Sequence, residues 1–198
     1  MKNILILNAH QHYPFAPGRL NASLVERMIV HLRAKGYTVQ VTTMQDAYQP
    51  EAEMEKHRWA DTVIVQTPVY WMGVPWIFKK YMDEVYSAGV MGLLCDGDGR
   101  SSKAPKKNYG MGGKLTKTRY MLSLTFNAPK EAFDNPDEPF FAGKGVDDLF
   151  LPLHLTFKFF GMHPLPTFVC YDVIKAPAIT EDFARLEAHL AAHFPAAG

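Results

Sequence analysis

Two near-continuous apolar runs, NILILNA at 3–9 and DTVIVQTP at 61–68, leave few folds open to this chain. A strand with one wet face alternates apolar and polar residues; a strand covered on both faces does not. Both runs are too short to span a bilayer, so they read as central strands of a parallel sheet. Parallel strands need long crossovers, normally helical. Leu24, Met28 and Leu32, widened by Val25 and Ile29, predict a helix over about 21–35 that stops at Gly36. Ser23 and Glu26 have capping-box spacing, and Asn21 is a second candidate cap. TVQVTTM (38–44) alternates and predicts an edge strand.

A short polar helix is expected at about 51–59, and a second helix opens at Pro75 and runs to about Ser87. Residues 88–118 are irregular and rich in Gly and Lys; RYMLSLTFNAP (119–129) is a fourth strand with its following loop. A helix over about 148–160 closes at Gly161, TFVCYDV (167–173) reads as a fifth strand, and Phe183, Leu186, Leu190 and Phe194 stripe a last helix over 180–194. Strand and helix alternate five times. This predicts an α/β doubly wound parallel sheet with helices on both faces, as one domain over 1–198. For this length the expected strand order is 2-1-3-4-5, with a ligand at the carboxyl ends of strands 1, 3 and 4.

Composition removes several function classes. A net charge of +1 gives no support to nucleic acid as a general partner. The apolar run at the N-terminus is too short for a signal sequence, and no later run reaches a membrane span. Two cysteines, Cys95 and Cys170, with no CxxC, read as reduced thiols of a cytoplasmic protein; neither a disulfide nor a metal site is expected. His189 and His193 stand four apart without HExxH and read as surface histidines, and His154 reads as a satisfied core histidine. GMGGK at 110–114 is not a P-loop, DGDG at 96–99 lacks the later EF-hand ligands, and GxSxG is absent.

Chemistry is therefore sought in the loops after strands 1, 3 and 4. The first leads through Ala16, Pro17, Gly18, Arg19, Leu20, Asn21, Ala22 and Ser23 into a helix N-terminus, a natural anion site. Gly18 lets backbone approach a phosphate, and His10, His12 and Arg19 add charge; the loop has no GxGxxG, and a plain strand–helix connector also explains it. The second loop holds Val69, Tyr70, Trp71, Met72 and Gly73, with apolar area and amides suited to a flat ring; a packed loop covering the sheet end is the alternative. The third holds Thr125, Phe126, Asn127 and Ala128, with small side chains and exposed amides at the last two; taken alone it reads first as a strand ending in a proline turn. Residues 99–119 carry seven Lys or Arg and no acid, which suits either steering of a phosphorylated molecule such as NADPH or a solvated surface.

Four segments then carry a family resemblance: WMGVPWIFKKYMDEV (71–85), YMLSLTFNAP (120–129), GVDDLFLPLH (145–154) and MHPLPTF (162–168). In order and spacing the chain resembles the flavodoxin-like NAD(P)H:quinone oxidoreductases, and among them the bacterial quinone reductases, over nearly its whole length. The resemblance implies FAD bound by a homodimer, with the flavin near the subunit interface. It implies the diphosphate side of FAD at Ala16–Ser23, the isoalloxazine at Val69–Met72 with Gly73 close by, and its other edge at Thr125–Ala128. Tyr109 would also touch FAD, from either subunit. The implied reaction is hydride transfer from NADPH or NADH to flavin N5 and then to a quinone, protecting against quinone and oxidative stress. No side chain is implied as catalytic. No His lies between Phe133 and Gly145, so a Tyr–His proton relay beside the flavin is not carried over. A one-electron flavodoxin-type carrier and an ancillary flavoprotein subunit of a potassium efflux system remain alternatives; such carriers are typically strongly acidic.

Overall fold

The computed structural model describes residues 2–90 and 92–197. A parallel sheet is built from β1 (Asn3–Asn8), β2 (Thr38–Thr43), β3 (Thr62–Pro68) and β4 (Arg119–Thr125), in the order β2-β1-β3-β4. β2 is the edge that its alternation predicts. The apolar runs become β1 and β3, and every residue of β3 is buried.

Two helical layers cover the sheet. Ile4 and Ile6 of β1 face α1 (Arg19–Ala34) and α7 (Ile179–His193), together with Leu24, Met28, Leu186 and Leu190. Leu5 and Leu7 face the opposite layer. That layer contains α2 (Pro50–Trp59), α3 (Trp76–Tyr81) and α6 (Leu151–Phe159). After α3 the helix widens into a π turn, Met82–Tyr86, and ends as α4 (Ser87–Gly89). The long helix expected over 148–160 is two pieces, α5 (Val146–Leu149) and α6, broken at Phe150 before Pro152.

The fifth strand position is also divided. β5 (His163–Pro164) pairs with Arg119 and Tyr120, and β6 (Phe168–Cys170) pairs with Ser123 to Thr125, so one edge of β4 carries two short strands. Pro164 and Pro166 have no N–H to continue the ladder between them. The five sheet positions are those expected; the continuous strand 167–173 is not formed. α1 starts at Arg19 behind Gly18, which places Ser23 and Glu26 inside the helix, so they form no capping box.

Candidate functional site

The loop after β1 is folded onto itself. Tyr13 and Ala16 exchange backbone hydrogen bonds of 3.2 and 2.9 Å, and buried His10 donates from Nε2 to Ala16 O at 3.1 Å. A ring nitrogen facing a carbonyl must carry the proton. Burial lowers the His10 pKa. Gly18 takes φ 81°, and a Cβ there would stand 2.2 Å from His10 Cε1. Only glycine fits. The first helical bond runs from Ala22 N to Gly18 O at 2.9 Å, no side chain caps α1, and its first turn holds no acid. The leading amides of α1 are thus left for an anion.

Asn21 is committed differently from expectation. Its Nδ2 donates to Asn8 Oδ1 (2.6 Å), Gln66 Nε2 donates to Asn21 Oδ1 (3.1 Å), and Ser123 Oγ donates to Gln66 Oε1 (2.7 Å). Asn8, Gln66 and Ser123 are register partners on β1, β3 and β4. Asn21 therefore offers a ligand its amide, while its side chain ties α1 to the sheet. Asn8, Gln66 and Ser123 were not singled out in the sequence. Their signal was there: each is a polar residue inside an apolar strand run.

The loop after β3 is strained. Tyr70 and Gly73 exchange hydrogen bonds of 2.9 and 3.1 Å, and the two residues between them, Trp71 and Met72, take φ 49° and 64°. This is a tight turn with both central residues left-handed, a form that normally selects Asn-Gly. Trp71 is 97% exposed. The amide of Gly73 is spent inside the turn, so the donors this loop presents are those of Trp71 and Met72. Left-handed backbone at a non-glycine residue costs about 1–3 kcal/mol. Trp71→Asn with Met72→Gly should therefore raise stability by about 1–3 kcal/mol in urea unfolding while weakening ligand binding at the rim. A double variant less stable than the parent would remove the strain argument.

In the third loop Phe126 points inward. It is buried against Phe133, Phe150 and Tyr171, and its N–H donates to Cys170 O at 2.8 Å. It supplies neither a ring face nor a free amide to the rim. Thr125 is buried and its carbonyl accepts from Val69 N at 3.0 Å. Asn127 is exposed and Ala128 half-buried, both beyond the last ladder residue. Ala128 O accepts from Asp172 N at 3.1 Å.

These contacts bring the three loops together. Val69 joins the second to the third, and the Tyr13 and Tyr70 rings, 5.7 Å apart, join the first to the second. Tyr109 is not brought with them. It packs on Phe159, in the segment whose Leu115 N bonds Phe160 O and which feeds the start of β4, at the amino end of the sheet. A groove of about 1110 Å³ lies along the outer edge of β4, lined by Tyr120, Asp147, His154 and Thr167 among others, and includes none of the expected cofactor-binding residues. Cys95 and Cys170 are free and buried; burial pushes the Cys170 thiol up to about 12. Among the described residues no cluster of three metal-ligating side chains occurs, and no helix is long and apolar enough to cross a membrane.

The rim thus joins a helix N-terminus without counter-charge to outward amides beside large apolar groups. Such an edge can hold an anionic tail and the polar border of a flat ring. The chain is 44% identical over 188 residues to the NADPH:quinone oxidoreductase MdaB of Haemophilus influenzae, covering 95% of this chain and 97% of that protein. A crystal structure of a putative quinone reductase from Klebsiella pneumoniae matches with a TM-score of 0.79 at 26% identity, covering 98% of this chain and 85% of that one. General stress protein 14 of Treponema denticola, crystallised with FMN, shares the fold with a TM-score of 0.64 at 20% identity, covering 96% and 97% of the two chains. The family model described as the flavodoxin-like fold matches residues 2–193, and the chain belongs to that family.

Proposed function

We propose that this protein is an FAD-dependent NAD(P)H:quinone oxidoreductase working as a homodimer. The observation that carries the reading is the meeting, at one sheet edge, of the open first turn of α1 with the left-handed Trp71–Met72 turn. The 44% identical relative named as an NADPH:quinone oxidoreductase supports the substrate class. Such a flavin, when bound, would supply two-electron hydride chemistry between a reduced nicotinamide and a quinone.

The residues fit such a group. Amides of Arg19, Leu20 and Asn21 hold the diphosphate, with the Arg19 guanidinium adding charge. The stacked Tyr13–Phe15 pair, 5.1 Å apart and 9° from parallel, leaves Phe15 81% exposed beside this turn. An adenine would cover that platform, which favours FAD over FMN. Trp71 and Met72 amides bind the polar border of the ring. Asn127 and Ala128 amides would be the groups available to stabilise negative charge on the reduced ring.

Trp71, so exposed in one chain, shields a ring from water once a second copy closes over it. Tyr109 and the basic segment 99–119, placed at the amino end, reach the site from that copy. Donor and quinone then share one binding face in turn. Steady-state kinetics should give parallel double-reciprocal lines; intersecting lines would contradict a shared face.

A further inference from the structure

Under the α2–α3–α6 layer, away from the rim, an aromatic file crosses the molecule. Its successive ring centroids are Tyr48 to Tyr81 at 5.1 Å, Tyr81 to Tyr86 at 6.0 Å, Tyr86 to Phe157 at 6.3 Å and Phe157 to Tyr120 at 4.6 Å. Every phenol in the file donates its proton to a base. Tyr48 bonds Glu84 Oε2 (2.5 Å), Tyr81 bonds Glu53 Oε2 (2.9 Å), Tyr86 bonds His57 Nε2 (3.2 Å) and Tyr120 bonds His154 Nδ1 (2.7 Å). Both histidines are set as acceptors. His57 Nδ1 faces the Glu53 carbonyl at 2.9 Å, and His154 Nε2 faces Asp147 Oδ1 at 3.2 Å, so each presents a bare nitrogen to its tyrosine.

Packing alone does not require this. Buried Tyr37 satisfies its hydroxyl with the Pro195 carbonyl at 2.7 Å, and among the described residues none of the tyrosines outside the file bonds a base. The π turn adds a second observation. At about 3.6 residues per turn, positions five apart fall on different sides of an α-helix. The wider turn over Met82–Tyr86 lets both Tyr81 and Tyr86 face inward, where both are buried. π turns of this kind concentrate at functional places.

We propose that Tyr120, Tyr86, Tyr81 and Tyr48 form a proton-coupled hole-transfer path that carries oxidising equivalents from the groove beside His154 to the surface at Tyr48. A one-electron oxidant of the oxyl-radical class takes an electron from Tyr120. The Oη–H bond gives its proton to His154 Nδ1, leaving a neutral phenoxyl and an imidazolium held by Asp147. An electron from Tyr86, passing Phe157, refills Tyr120, and the proton returns from His154. Tyr86 in turn gives its proton to His57, Tyr81 to Glu53, and Tyr48 to Glu84, each recovering it on re-reduction. At Tyr48 a soluble thiolate supplies the last electron and is itself oxidised to a thiyl radical, while Glu84 returns the proton to the Tyr48 phenol. The path gives a redox protein a way to discharge stray radicals without losing core side chains.

The test uses the full chain carrying Leu155→Cys, an exposed neighbour of His154, labelled with a ruthenium polypyridyl photosensitiser; Cys95 and Cys170 are buried. Flash-quench generates ruthenium(III) as the oxidant, and a nitroso spin trap marks the radical site for EPR and peptide mass analysis. The expected adduct is on Tyr48. In Tyr86→Phe that adduct is lost while the Tyr120 phenoxyl persists, and Tyr37→Phe changes nothing. An undiminished Tyr48 adduct in Tyr86→Phe, or wild-type adducts confined to exposed tyrosines such as Tyr109, overturns the path. If Tyr86→Phe does not fold, Tyr48→Phe at the surface end should lengthen the internal phenoxyl lifetime; an unchanged lifetime also overturns it.

Discussion

Gly18→Ala should weaken flavin binding about 10- to 100-fold and destabilise the fold by about 2–4 kcal/mol. Two costs combine. A left-handed backbone at Ala costs about 1–2 kcal/mol. The new methyl group would also sit 2.2 Å from the His10 ring, which must move. His10 closes the loop through Ala16 O, so its displacement reaches the amides placed to hold the diphosphate. Gly36→Ala is the control. It shares the positive φ, at 86°, but its Cβ would meet nothing nearer than Ala197 Cβ at 3.6 Å. It should lose only the backbone term, with flavin affinity unchanged. Isothermal titration with FAD and urea unfolding of both variants separate the two effects; equal affinities in both would remove Gly18 from the site.

Gln66→Leu should cost about 2–6 kcal/mol, because it leaves two buried groups without partners, each worth about 1–3 kcal/mol. Those groups are Asn21 Oδ1 and Ser123 Oγ. Leu fits the volume and the strand, so the loss is one of hydrogen bonding. Since Asn21 stands in the first turn of α1, the same change should loosen the anion-binding turn and raise the flavin dissociation constant. Ser123→Ala removes only the far member and should cost less, with little effect on flavin. Denaturant midpoints and cofactor titrations check both. Equal losses from Gln66→Leu and Ser123→Ala would mean that the four side chains do not act as a connected tether.

The sheet was legible because burial on both faces writes itself into a strand as an unbroken apolar run, as in NILILNA and DTVIVQTP. The location of the three loops followed from strand order. What the side chains do at the rim was less legible. Phe126 continues the alternation of Tyr120, Leu122 and Leu124 into the same core, because its N–H stays in the ladder with Cys170. Strand parity would have assigned it inward. Asn21 resembles a cap by composition, yet the polar residues on β1 and β3 claim its side chain. The left-handed Trp71–Met72 turn runs against local preference and is imposed by the strand-end pairing of Tyr70 with Gly73. The π turn leaves no local mark either, since it answers to the tertiary neighbours of Tyr81 and Tyr86. The divided fifth strand, by contrast, could have been read from Pro164 and Pro166.

Flavin binding at this sheet edge is read from the visible absorption spectrum of the purified protein, with mass identification of what heat releases. The purified protein should be yellow, release FAD and, once stripped, take FAD up again with quenching of tryptophan fluorescence. A colourless protein that binds neither FAD nor FMN when either is supplied in excess would contradict it.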